Sequence, residues 1–262
     1  MKLNRLMRTR QPISFRPELE ALESRDCPSA NIFVFGHTMV ILGDSNANAV
    51  TVSDDGNGGI TADITSPTGG ASRTATGIRN VAIATFGGDD TVNYTQSAAR
   101  TGRLGLFVDL GAGNDTANLD FTPGVSSSSL IAAVYGGQGN DTIASQVGAI
   151  AAGANAGLFL DGGAGDDAIT AGFSGALNGR LAVALSGDAG NDTLTGNIDV
   201  ADGSTGKLAA LVNGGGGDDN LTLNVTGAGA STLNSLFALI NGGPGIDTAT
   251  HTANVRVINT EK

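Results

Sequence analysis

Hydrophobic and polar positions in this chain repeat in register seven times, and the register is set by Asp90, Asp115, Asp141, Asp167, Asp192, Asp219 and Asp247. Seven positions before each of them stand Ile83, Val108, Val134, Leu160, Leu185, Val212 and Ile240. Nine before stand Val81, Leu106, Ala132, Leu158, Val183, Ala210 and Ala238, and two after stand Val92, Ala117, Ile143, Ile169, Leu194, Leu221 and Ala249. All 21 places are apolar. A spacing of two is strand alternation, with one face turned inward and the other outward. The aspartates follow one another at 25, 26, 26, 25, 27 and 28 residues. Each unit therefore predicts a strand, a Gly/Asp turn, a second strand and a return loop of variable composition.

A unit of this size cannot bury its apolar face alone, but stacked copies bury it together. The pattern predicts an all-β chain, a parallel β-solenoid (β-roll or β-helix) with about 26 residues per rung over residues 81–262. Rungs about 4.8 Å apart make a rod roughly 35 Å long. Composition agrees. Gly accounts for 41 of 262 residues and Trp is absent, which predicts a thin seam of Val, Ile, Leu and Ala with no room for bulky rings. Residues 31–80 read as an N-terminal β cap or degenerate repeats. There Val40–Val52 keeps the strand–turn–strand order, but Asn48 stands where the turn carboxylate belongs. Asp55-Gly56-Asn57-Gly58-Gly59 predicts a hairpin turn between 49–53 and 60–64. Asn254–Ile258 alternates like a closing edge strand.

Charge narrows the function. Residues 1–26 hold six of the 14 basic groups and four of the 25 acids, leaving 8 basic and 21 acidic residues, net −13, for the rest. Such a body repels phosphate, which argues against nucleic acid and favours divalent cations. Calcium takes six to eight oxygens, accepts backbone carbonyls and needs carboxylates to balance its charge. A Gly-x-Gly-(Asn/Asp)-Asp turn supplies those parts, because glycines bring carbonyls together without Cβ clashes. A column of seven aspartates would also repel itself without cations.

These turns resemble the hemolysin-type repeats of the RTX family, Gly-Gly-x-Gly-x-Asp-x-(apolar)-x. The match is close at residues 136–144 (GGQGNDTIA), 162–170 (GGAGDDAIT) and 214–222 (GGGGDDNLT), and partial at 187–195 and 242–250. The resemblance covers residues 87–250. It implies calcium held between stacked turns, with Asp115, Asp141, Asp167, Asp192, Asp219 and Asp247 as side-chain ligands and Asp90 a weaker one. Family nonapeptides run in tandem, whereas one recurs per unit here, so ions are expected along one edge only. Seven stacked turns leave at most six gaps, of which about three to five are expected to be well formed.

Catalysis is poorly provisioned. His37 and His251 lie far apart in the chain, no G-x-S-x-G, H-E-x-x-H or C-x-x-C occurs, and no Lys-Ser/Thr follows the glycine turns. The chain is therefore expected not to be an enzyme. Cys27 is the single cysteine, so no intrachain disulfide forms, and no 18-residue apolar run predicts a transmembrane segment. Residues 1–30 are expected to be a disordered export or surface motif. Leu19-Glu20-Ala21-Leu22-Glu23-Ser24-Arg25 within it resembles the short element heading extracellular proteins of planctomycete bacteria. That resemblance implies an extracellular or cell-surface location. A second reading is a metal-independent surface adhesion or carbohydrate-binding β-solenoid, with cell-surface or matrix polysaccharide as its partner.

Overall fold

The computed structural model describes residues 30–260; the export-type motif, apart from Ala30, lies outside them. The described residues open with an antiparallel pair, β1 (Asn31–Phe35) and β2 (Thr38–Leu42). It crosses to a second sheet as the antiparallel meander β3 (Ala49–Asp54), β4 (Ile60–Ser66) and β5 (Gly69–Ala75). From there each rung is one strand in each sheet. The pairs are β6 (Asn80–Ala84) with β7 (Thr91–Gln96), β8 (Leu104–Ala112) with β9 (Thr116–Phe121), and β10 (Ser129–Gln138) with β11 (Thr142–Val147). They continue as β12 (Asn155–Ala164) with β13 (Ala168–Gly175), β14 (Arg180–Ala189) with β15 (Thr193–Val200), and β16 (Lys207–Gly216) with β17 (Asn220–Thr226). The last pair is β18 (Ser235–Asn241) with β19 (Thr248–His251), and β20 (Arg256–Ile258) closes the first sheet.

The result is a parallel β-solenoid of two ten-stranded sheets. The first runs β1-β2-β6-β8-β10-β12-β14-β16-β18-β20 and the second β19-β17-β15-β13-β11-β9-β7-β3-β4-β5. Register follows the sequence columns residue for residue. Val108, Val134, Leu160, Leu185, Val212 and Ile240 pair in series across the first sheet. Ala117, Ile143, Ile169, Leu194, Leu221 and Ala249 do so across the second. A one-residue slip would turn every apolar side chain outward, so burial enforces this register.

The core differs from expectation in one respect. Tyr94, Phe121 and Phe173 are fully buried, and the Tyr94 and Phe121 rings pack at 5.4 Å. All three sit toward the far ends of second-sheet strands, away from the Gly/Asp turns. The return edge is also more regular than its sequence, since Arg100, Val125, Ile150 and Leu177 bridge in parallel, one per rung. Below Leu177 the buried Ser204 hydroxyl accepts the Leu177 N–H at 3.0 Å.

The N-terminal end holds a buried polar cluster. Arg100 and Asp54 form an ion pair with both side chains fully buried. The Tyr94 hydroxyl donates to the same carboxylate, and Arg100 Nε donates to Gln96 Oε1 at 3.1 Å. Gln96 Nε2 in turn donates to the Gly124 carbonyl at 2.9 Å.

Four positions before each turn aspartate the backbone has positive φ. Glycine meets this at 111, 137, 163, 215 and 243, but Phe86 (φ 73) and Asp188 (φ 70) stand in the other two rungs. A bulky residue is strained there, and Phe86 is 56% exposed, so its ring recovers little by burial. Phe86→Gly is expected to raise stability by about 0.5–1 kcal/mol, the relief of strain less the entropy cost of glycine. Urea unfolding midpoints of the two proteins check this.

Candidate metal-binding column

Each turn aspartate is held by the two strands it joins. The structure brings Asp90, Asp115, Asp141, Asp167, Asp192, Asp219 and Asp247 into one column, each no more than 2% exposed. One carboxylate oxygen of each is occupied. The Asp90 N–H donates to Asp115 Oδ1 at 2.7 Å, that of Asp115 to Asp141 at 2.8 Å, and that of Asp141 to Asp167 at 2.7 Å. The series runs on through Asp192, Asp219 and Asp247 at 2.8, 2.9 and 3.0 Å. At its head Asn48 takes the place of an aspartate, its N–H donating to Asp90 Oδ1 at 2.7 Å.

The other oxygen, Oδ2, is buried without a hydrogen-bond partner in all seven. A buried, unpaired carboxylate oxygen is costly. What it faces depends on the residue five positions earlier. That residue is glycine at 136, 162, 187, 214 and 242, but Thr85 and Leu110 in the first two rungs. A Cβ on Gly136 would lie 2.3 Å from Asp141 Oδ2 and 2.4 Å from the Gly162 carbonyl oxygen of the next rung. A Cβ on Gly187 would meet Asp192 Oδ2 at 2.2 Å and the Gly214 oxygen at 2.4 Å, and one on Gly214 would meet Asp219 Oδ2 at 2.1 Å and the Gly242 oxygen at 2.6 Å. Beside Gly242 the carbonyl comes from Asn259. This glycine is therefore required to make space for an unpaired carboxylate oxygen and a carbonyl. In the first Asp rung the Thr85 hydroxyl is buried beside Asp90, donating to the Leu110 carbonyl at 2.7 Å.

A second ladder runs on the solvent side and in the opposite direction. The Asn114 N–H donates to Asp89 Oδ1, that of Asn140 to Asn114, and that of Asp166 to Asn140, at 2.8–2.9 Å. It continues through Asn191 and Asp218 to the Ile246 N–H. Either Asn or Asp serves, because the position needs only a short side-chain oxygen acceptor. The sequence signal for it is the Asn or Asp that precedes six of the seven turn aspartates. Ile246, last in the series, donates its N–H and has no rung of this kind after it to serve, so an apolar side chain is tolerated there.

Electrostatics follow from burial. Desolvation pushes the Asp141 carboxyl up to about 7, with Asp115 and Asp167 adding like charge, although the Asp115 N–H opposes the shift. Burial likewise pushes Asp115 and Asp192 up to about 6, and raises Asp90, Asp167 and Asp219. Asp44 in the cap goes the other way. Burial disfavours its charge, but hydrogen bonds from Ser66, Thr68 and Asn46 outweigh that and hold it below the usual range. A carboxylate whose folded pKa is raised binds its proton more tightly when folded. Its contribution is complete below the unfolded value of about 4 and is lost as pH rises. The metal-free protein is therefore expected to lose stability between about pH 4 and pH 7, as Asp115, Asp192 and then Asp141 ionise. Thermal unfolding in EGTA across that range checks it.

Among the described residues, no three His, Cys, Asp or Glu side chains converge as a metal cluster. An ion in this column would accordingly rely on carbonyl oxygens as well as on one or two carboxylates. His37 bonds the carbonyl of Gly77, 40 residues on, and His251 that of its neighbour Thr252. Among the described residues no helix is long and apolar enough to cross a membrane. Neither a protein-family model, nor a curated protein, nor a solved structure matches this chain.

Proposed function

We propose that this chain is an extracellular or cell-surface calcium-binding structural protein and not an enzyme, in which Ca2+ between stacked Gly/Asp turns stabilises the solenoid. The observation that carries the reading is the run of buried, unpartnered Oδ2 atoms beside glycines that leave room for them. Calcium suits this chemistry, since it accepts carbonyls with carboxylates, tolerates irregular geometry and would remove the like-charge penalty along the column. Five rungs, those of Asp141, Asp167, Asp192, Asp219 and Asp247, combine the carboxylate with the required glycine. The proposal is therefore up to five ions along one edge, with Asp90 and Asp115 as weaker ligands because Thr85 and Leu110 replace that glycine.

Ion binding would couple to folding, because each site needs two rungs in register. In low calcium the charged column loosens the stack, and millimolar calcium draws it together. Isothermal titration of EGTA-treated protein should give up to five calcium ions per chain, with a rise in unfolding temperature and a gain of strand signal in circular dichroism. No heat of binding and identical spectra in EGTA and calcium would overturn the proposal. One observation favours the second reading, a metal-independent surface adhesin: the peptide N–H groups of the turns already find acceptors in both ladders. That reading expects full folding in EGTA.

A further inference from the structure

The two sheets present opposite chemistry to solvent. The second carries Thr and Asn, joined sideways by bonds such as Asn118 Nδ2 to Asn93 Oδ1 at 3.1 Å and Asn224 Nδ2 to Asn197 Oδ1 at 3.2 Å. The first exposes Phe107, Ile131, Tyr135, Phe159, Leu211 and Phe237, each between 36% and 55% exposed. Its central outward column runs Phe107, Ala133, Phe159, Ala184, Leu211 and Leu239, one residue per rung. Isolated exposed apolar residues are ordinary, whereas a continuous stripe marks an interaction surface.

The order of sizes in this face says what covers it. A two-fold axis lying along the strand direction between β12 and β14 would set β12 over β14, β10 over β16 and β8 over β18 of a second copy. Phe159 then lies over Ala184, Ala133 over Leu211, Ile131 over Ala209 and Gly105 over Phe237, so large meets small in these four, while Phe107 meets Leu239, apolar on apolar. The charges are equally compatible. Arg180 falls over Asn155, Lys207 over Ser129, Asp161 over Ser186 and Asp109 over Asn241, with no like charges opposed. An open cavity of ≈ 270 Å³ lined by Phe159, Ala184 and Leu211 lies beside that axis, where the other copy's Phe159 would enter. Eight strands about 4.8 Å apart, β6 to β20, with three outward positions each except two on β20, cover roughly 700–750 Å² per copy, close to the area of a standard-size interface.

We infer that the first sheet is a homodimer interface, closed face to face by a second copy of this chain. The two apolar faces pack as a β-sandwich with aligned strands, and the Gly/Asp edge of each copy stays open to solvent. The full chain, with calcium present, should sediment as a dimer at concentrations up to about 100 µM, well within reach of a standard interface. Phe159→Asp and Ala184→Arg should each give monomers with an unchanged circular dichroism spectrum, and Thr170→Arg on the opposite sheet should leave the dimer intact. Asn241→Lys should bind its mate several-fold more tightly than Asn241→Asp, through Asp109 of the other copy. Asn241→Asp keeps an acceptor for the Asn259 amide and Asn241→Lys a donor toward the Asn213 oxygen, so loss of the difference on adding Asp109→Asn is what isolates the charge across the interface. A monomer at every concentration would overturn the inference. So would a dimer that survives Phe159→Asp, or a monomer that binds soluble polysaccharide through this face.

Discussion

Asp141→Ala and Asp141→Asn are expected to move the metal-free protein in opposite directions. Alanine removes the acceptor of the Asp115 N–H, now at 2.8 Å. A buried peptide donor left unpaired costs about 1–3 kcal/mol, so the alanine variant should unfold at lower urea in EGTA. Asparagine keeps an oxygen for that N–H and removes the buried charge. Its amide nitrogen would take the place of Oδ2 beside the Gly162 carbonyl, where it can donate. In EGTA the asparagine variant should therefore be more stable than the parent at pH 8, and its gain should shrink toward pH 5 as the parent's Asp141 protonates. Under the calcium proposal it should also gain less from calcium than the parent, because one ligand charge is gone. Urea unfolding in EGTA and in calcium at the two pH values separates these contributions. An asparagine variant that responds to calcium as fully as the parent would exclude Asp141 as a ligand.

The second large effect lies at the N-terminal end. Arg100 is buried with Asp54, and removing one partner strands the other charge in the interior. Arg100→Met or Asp54→Leu alone is expected to cost about 3–5 kcal/mol, while the double variant should recover most of that loss. Burial already lowers the Arg100 pKa to about 10, which reflects the cost of holding that charge inside. Chemical denaturation of both single variants and the double variant gives the coupling directly. Additive losses would show that the two side chains act independently.

What was legible in the sequence is what repeats. The apolar columns at seven and nine residues before each aspartate, and two after it, specified both sheets and their register. The same comb placed seven aspartates in one file. Features made once were not legible. Asp54, Tyr94, Gln96 and Arg100 come from β3, β7 and the loop after it, and no period links them. The buried rings of Tyr94, Phe121 and Phe173 escape a composition argument, because absent Trp and abundant Gly imply a thin seam everywhere, whereas the interior admits rings away from the turns. The glycine five residues before each aspartate was visible as composition. Its reason, space for a carboxylate oxygen and the carbonyl of the next rung, needed coordinates. The outward apolar stripe was hidden for a related cause. Alternation shows which residues share a face, but an apolar residue on the solvent side breaks the pattern and reads as noise.

The antiparallel strands β1, β4 and β5 seal one end of the stack, and each turn contacts only the turns immediately before and after it. Splicing an extra copy of Asn155–Gly179, one full rung because Arg180 is the next rung's counterpart of Asn155, into the middle of the gene would therefore leave the terminal structures untouched and extend the molecule by one step of about 4.8 Å. Length in such an architecture is a setting that duplication or deletion can adjust, as notches are added to or removed from a ruler.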